Sequence, residues 1–113
     1  MKIISWNIRG LGGFEKRKEV CPLVREKCSY ILCIQETKLS IISEAVCKSI
    51  WKDAYVDFSY PSNGASGGLV TFWDCKEVEV WSSFYFEHVI QIQGRFVKSD
   101  VEFTLLNVYA PCD

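Results

Sequence analysis

The sequence predicts a layered α/β (α+β) domain, a mixed β-sheet with helices on one face. Three observations carry this. Apolar segments follow one another as strand, helix, strand, helix and then several more strands. Residues 30–35 are almost wholly apolar, as expected of a parallel strand covered on both faces. Residues 77–81 and 89–93 alternate polar with apolar side chains, the pattern of half-buried strands.

Residues 2–8 open the chain as a strand, with Ile4, Trp6 and Ile8 on one face and Ile3, Ser5 and Asn7 on the other. Gly10, Gly12 and Gly13 end it. Val20, Leu23, Val24 and Cys28 then recur at helical spacing, predicting a helix over residues 15–28, in which Pro22 makes a kink or marks the first turn. After the apolar strand, a second helix is expected over residues 43–51, with Val46, Cys47 and Ile50 inward. Further strands are expected over residues 55–60, 68–73, 77–81, 89–93 and 103–109. The segment Pro61-Ser62-Asn63-Gly64 closes the first of these, and Lys98-Ser99-Asp100 turns into the last.

The chain has 113 residues, 49% of them hydrophobic, enough for one small packed domain or part of a larger one. Its 13 basic and 14 acidic residues leave a net charge of −1, so no global field draws it to nucleic acid. The basic run Lys16-Arg17-Lys18, with Arg9 nearby, reads as a solvated helix face. Cys21, Cys28, Cys33, Cys47, Cys75 and Cys112 are irregularly spaced, and no signal peptide precedes them. Reduced thiols in an intracellular, non-secreted protein are expected rather than a disulfide scaffold. No C-x-x-C pair supports a zinc site. No apolar run approaches the ~20 residues that span a bilayer, so no membrane partner is expected. The glycines from Gly64 to Gly68 lack a following Gly-Lys-Ser/Thr and read as a turn rather than a phosphate loop.

Three segments carry the candidate chemistry: Ser5-Trp6-Asn7-Ile8-Arg9-Gly10, Ile34-Gln35-Glu36-Thr37-Lys38 and Asn107-Val108-Tyr109-Ala110-Pro111. Each places polar residues where an apolar strand ends. The first strand, helix and second strand make a right-handed βαβ unit, so Asn7 and Glu36 fall at carboxyl ends on one edge of the sheet. Open α/β sheets build their sites at that edge. A carboxylate there can hold a hard divalent cation through oxygen, and an amide beside it can orient a phosphate without adding charge. Taken singly, each residue has a plainer reading: Asn7 as a turn former, Glu36 as a solvated acid, Tyr109 as a strand-end aromatic.

In this order, with Gly67-Gly68-Leu69 between them, the segments resemble the endonuclease/exonuclease/phosphatase superfamily and its deoxyribonuclease-I-like fold. Within it they resemble the apurinic-type endonuclease domains of plant non-LTR (LINE-type) retrotransposons. The resemblance implies that residues 1–113 form the N-terminal half of a four-layer sandwich, a partial domain. It implies Glu36 as a direct Mg²⁺ ligand, with Mn²⁺ as the alternative ion. Asn7 would support the metal and phosphate through its amide, and Tyr109 would donate its hydroxyl to the scissile phosphate or orient its neighbours. Lys38 would be a partner of the Glu36 region, and Ser66-Gly67-Gly68 would open a core strand. DNA would be the substrate of the complete domain, a reverse transcriptase region would follow in the parent element, and the site of action would be nuclear. The oligomeric state stays open.

The family's later Gly-Asp-Phe-Asn-like and Ser-Asp-His segments do not occur. Val101 follows Ser99-Asp100 where a histidine would stand, and His88, the one histidine, reads as a strand-start residue. Cys112 replaces an asparagine common in repair-type relatives. The expectation is a truncated Mg-dependent endonuclease domain without useful turnover of its own. The alternatives are a non-catalytic nucleic-acid or protein interaction remnant and another phosphoesterase of the superfamily. With each half of the fold contributing to one sheet, a front half would expose an apolar sheet face and an unpaired edge.

Overall fold

The computed structural model describes residues 3–8, 30–37, 43–51, 55–61 and 68–109. The helix expected over residues 15–28, the basic run 16–18 with Arg9, Lys38, residues 62–67 and Cys112 lie outside them. Among the described residues, seven strands and one helix follow in order: β1 (Ile3–Asn7), β2 (Ile31–Gln35), α1 (Glu44–Ile50), β3 (Val56–Ser59), β4 (Val70–Asp74), β5 (Val78–Phe86), β6 (Val89–Phe96) and β7 (Val101–Val108).

The strands form two sheets. One has the order β1-β2-β4-β3 and is mixed: β1 runs parallel to β2, while β4 is antiparallel to both β2 and β3. The other is the antiparallel meander β5-β6-β7. The expectation that this half of the fold feeds a single sheet is therefore corrected. After β4 the chain leaves the first sheet through the turn at residues 75–77 and builds the second from consecutive hairpins.

Side-chain alternation explains the layering. On β2, Leu32 and Ile34 face one way and Ile31 and Cys33 the other, and all four are buried. The first face, with Val70 and Phe72 of β4, packs against Cys47, Ile50 and Trp51 of the α1 segment. The second, with Leu69 and Trp73, packs against Val78, Ile90, Ile92 and Phe96 of the meander. The helix thus covers one face of the mixed sheet and the second sheet covers the other. Ser43 caps α1, accepting a hydrogen bond from the Val46 N–H at 3.3 Å, and Cys47 and Ile50 are its buried residues.

Both long strands run past their expected ends, β5 to Phe86 and β6 to Phe96. The register shifts between Val80 and Ser82, a β-bulge that puts Trp81 at the surface and breaks the alternation on which the shorter strand rested. Opposite the bulge stands Gly94, where a Cβ would meet the Glu79 carbonyl oxygen at 2.0 Å. Only a residue without a side chain lets the two backbones approach so closely there.

Candidate active site

The three expected site residues sit at the carboxyl ends of three strands. Asn7 is the last residue of β1 and exposed; Glu36 follows the last residue of β2; Tyr109 follows the last residue of β7. The Asn7 side-chain amide donates to Glu36 Oε2. The parallel register of β1 and β2, with Asn7 opposite Gln35, brings the two side chains together.

The backbone at Glu36 turns sharply. Ile8 N–H still donates to the Gln35 carbonyl at 3.1 Å, but Thr37 N–H donates to Gly68 at 3.2 Å, at the entrance to β4. Between these anchors Glu36 has φ 57°, the left-handed region that costs a non-glycine residue about 1–2 kcal/mol. Thr37 is fully buried, so the residue that follows the turn is held by the core.

Tyr109 is held from the other sheet. Its N–H donates to the His88 carbonyl at 2.9 Å, and the His88 and Tyr109 rings meet edge-on with centroids 6.1 Å apart. Its half-buried ring packs on the core between the sheets. His88 lies in the two-residue turn between β5 and β6 with φ 65°, beside Glu87 at φ 39°. His88 is therefore not the strand-start residue that the sequence predicts; it stands in the turn, at the same rim as Tyr109.

Two residues to which that reading gave no role join the sheets beneath this rim. Gln35 Nε2 donates to Asn107 Oδ1 at 2.8 Å and to Ser5 Oγ at 3.1 Å. Asn107, 2% exposed, donates in turn to the Val70 carbonyl and to Thr71 Oγ1, each at 3.1 Å. Both polar ends of its amide are thereby satisfied in a buried place. The signal was present in the sequence. Phe103, Leu105 and Asn107 fall on one face of β7 by alternation, and an amide in an otherwise apolar row needs partners.

Magnesium takes hard oxygen donors, often one or two carboxylates completed by water and substrate phosphate. Glu36 offers one such carboxylate, and Asn7 engages only one of its oxygens. Among the described residues no group of three His, Cys, Asp or Glu side chains is gathered. The donor set suits a magnesium ion whose remaining ligands come from phosphate and water, not a cage supplied by these strands alone. Among the described residues no helix is long and apolar enough to cross a membrane.

The architecture is that of the deoxyribonuclease-I-like sandwich. The chain matches a humanized D. rerio TDP2 with TM-score 0.67 at 18% identity, covering 92% of this chain and 47% of that one. It matches the AP endonuclease LMAP of Leishmania major with TM-score 0.64 at 20% identity, over 95% of this chain and 39% of that one. The Xenopus laevis APE2 catalytic domain matches with TM-score 0.62 at 19% identity, over 99% of this chain and 46% of that one. In sequence, the chain is 27% identical over 112 residues to an exodeoxyribonuclease of Bacillus subtilis (strain 168), covering 98% of this chain and 43% of the relative. It thus spans less than half the length of each. No protein-family model matches it.

Proposed function

We propose that residues 1–113 carry the first part of a metal-dependent phosphodiesterase site that acts on DNA. In this reading the complete domain is an endonuclease of the apurinic, non-LTR retrotransposon type, working in the nucleus beside a reverse transcriptase region. The observation that carries the proposal is that the Asn7–Glu36 pair and Tyr109 stand at the carboxyl ends of three strands in two sheets, whose neighbouring residues Gln35 and Asn107 bond to each other from sheet to sheet. The likeness to a named exodeoxyribonuclease along nearly the whole chain supports it.

The reading gives each residue a role. Asn7 fixes the Glu36 carboxylate by donating to one oxygen and leaves the other for a cation. A bound Mg²⁺ would polarise a phosphoryl oxygen and stabilise the leaving oxygen. The Tyr109 hydroxyl is a hydrogen-bond donor for a phosphate oxygen, on a ring anchored by the core. The general acid–base group that contributes about 10²–10⁴ in rate is not supplied by these three residues. We therefore infer that the chain alone has no useful turnover.

The test is Mg²⁺-dependent nicking of supercoiled plasmid. The assay compares the isolated chain with a chimera that continues it with the remaining part of the Bacillus subtilis exodeoxyribonuclease. No nicking is expected from the chain alone. Nicking is expected from the chimera, lost by at least about 100-fold in Glu36→Gln, the loss typical of one preorganised electrostatic group. A chimera that nicks equally with Glu36→Gln overturns the assignment. A second reading, a non-catalytic interaction module, is favoured by the exposed apolar residues Phe84, Phe86, Leu106 and Val108. A cooperatively folded chimera without nicking would select it.

A further inference from the structure

We infer that Gln35 and Asn107 are positioning residues for the candidate site. They form an amide clamp that sets the Asn7–Glu36 pair, on one sheet, against Tyr109, on the other. The inference rests on the reading of Glu36 and Tyr109 as parts of one site, and it goes beyond that reading in naming what makes them one.

The geometry has three parts. Gln35 precedes Glu36 and is opposite Asn7 in the β1–β2 register. Asn107 is two residues before Tyr109 and opposite Ile90 in the β6–β7 register, two residues past His88. The Gln35–Asn107 bond of 2.8 Å crosses from sheet to sheet between residues 72 positions apart. It is braced on both sides, by Ser5 of β1 and by Val70 and Thr71 of β4. The apolar packing between the sheets is non-directional and tolerates small slides of one sheet on the other. A hydrogen bond with fixed partners at both ends does not. Its place directly under the rim therefore controls the offset between Glu36 and Tyr109, to which a two-point grip on one phosphate is sensitive at the ångström level.

The test uses the full chain, ¹⁵N-labelled, as wild type, Gln35→Met and Ser5→Ala. Methionine keeps the length and volume of Gln35 without its hydrogen bonds; Ser5→Ala removes one brace at an exposed position and is the milder variant of the same clamp. The first readout is amide hydrogen exchange. In Gln35→Met the rim amides of Ile8, Thr37 and Tyr109 should exchange about 5- to 100-fold faster, matching the loss of the two hydrogen bonds of Gln35. The distant amides of Asp74 and Val97 should keep their wild-type rates. Equal acceleration everywhere, or none at the rim, overturns the inference.

The second readout is Mn²⁺-induced broadening. In the wild type, Mn²⁺ held at Glu36 should broaden both Thr37 and Tyr109. In Gln35→Met the Thr37 broadening should persist and that of Tyr109 should fall at least about twofold; an unchanged ratio overturns the inference. If Mn²⁺ broadens neither residue in the wild type, the metal reading of Glu36 fails, and hydrogen exchange alone decides the clamp. If Gln35→Met does not fold, the same comparison is made on Ser5→Ala, where a smaller acceleration confined to Ile8 and Tyr109 is expected and uniform rates overturn the inference.

Discussion

Burial decides the chemistry of the thiols. Cys33 and Cys47 lie on opposite faces of the mixed sheet, each inside one of the two cores. Burial pushes both thiols up to about 12, against an ordinary value of 9.0. They are protonated and inert at neutral pH. Of the three described cysteines, Cys75, at the exposed turn after β4, should be alkylated first by iodoacetamide, with Cys33 and Cys47 unreacted in the native state, as peptide mapping would read. The same shifts carry a stability term whose sign is definite. The neutral thiol is favoured in the folded state, so the contribution is complete below pH 9. It is lost as the pH rises from 9 towards 12, because the unfolded chain ionises first. Urea melts of Cys47→Ala should show a shallower alkaline fall than the wild type over that range. Single residues also show where the sequence spoke plainly. The strand-end places of Asn7, Glu36 and Tyr109 were legible because polar groups after apolar runs are conspicuous. Asn107 showed only as an amide in an apolar row and Gln35 not at all, since an amide's worth depends on partners from other strands.

The helix and most strands were legible for local reasons. Ser43 before Val46, Cys47 and Ile50 marks the start and inner stripe of α1, and Ile-Leu-Cys-Ile marks a strand buried on both faces. β5 was half-legible because a bulge is a local loss of period, and Ser82-Ser83 after it resembles a loop. The hairpin between β5 and β6 carries another unannounced feature. A two-residue turn with positive φ at both central positions favours Asn-Gly, and here Glu87 and His88 occupy it. Strain of that kind gathers where an element serves a site, and this turn presents the His88 carbonyl to Tyr109. Replacing the pair (Glu87→Asn with His88→Gly) should raise stability by about 1 kcal/mol in denaturant melts, by relieving the left-handed penalty.

The division of seven strands between two sheets was not legible. Which strands pair depends on contacts far apart in sequence, and the alternation of β5, β6 and β7 would suit either sheet. The outer face of the meander exposes apolar surface. Phe84, Phe86, Leu106 and Val108 are between 42% and 51% exposed, with the Phe84 and Phe86 rings stacked at 5.6 Å. Such a face binds apolar dyes. The native chain should enhance 8-anilinonaphthalene-1-sulfonate fluorescence, and Phe84→Ser with Leu106→Thr should lower it severalfold without lowering the melting temperature. Towards its other end the face turns polar and charged, through Gln93 and Thr104 to the ion pairs of Arg95 with Glu79 and Asp100. The Gln35–Asn107 clamp also sets an order of events in time. The meander closes through sequence-local hairpins, which form in about 1–10 μs. The clamp must wait for partners 72 residues apart, so it belongs to the slowest stage of assembly. The candidate site thus exists no earlier than the closing of one sheet on the other. A chain arrested one step short of native would keep its strands, and its far-ultraviolet spectrum, while having no site at all.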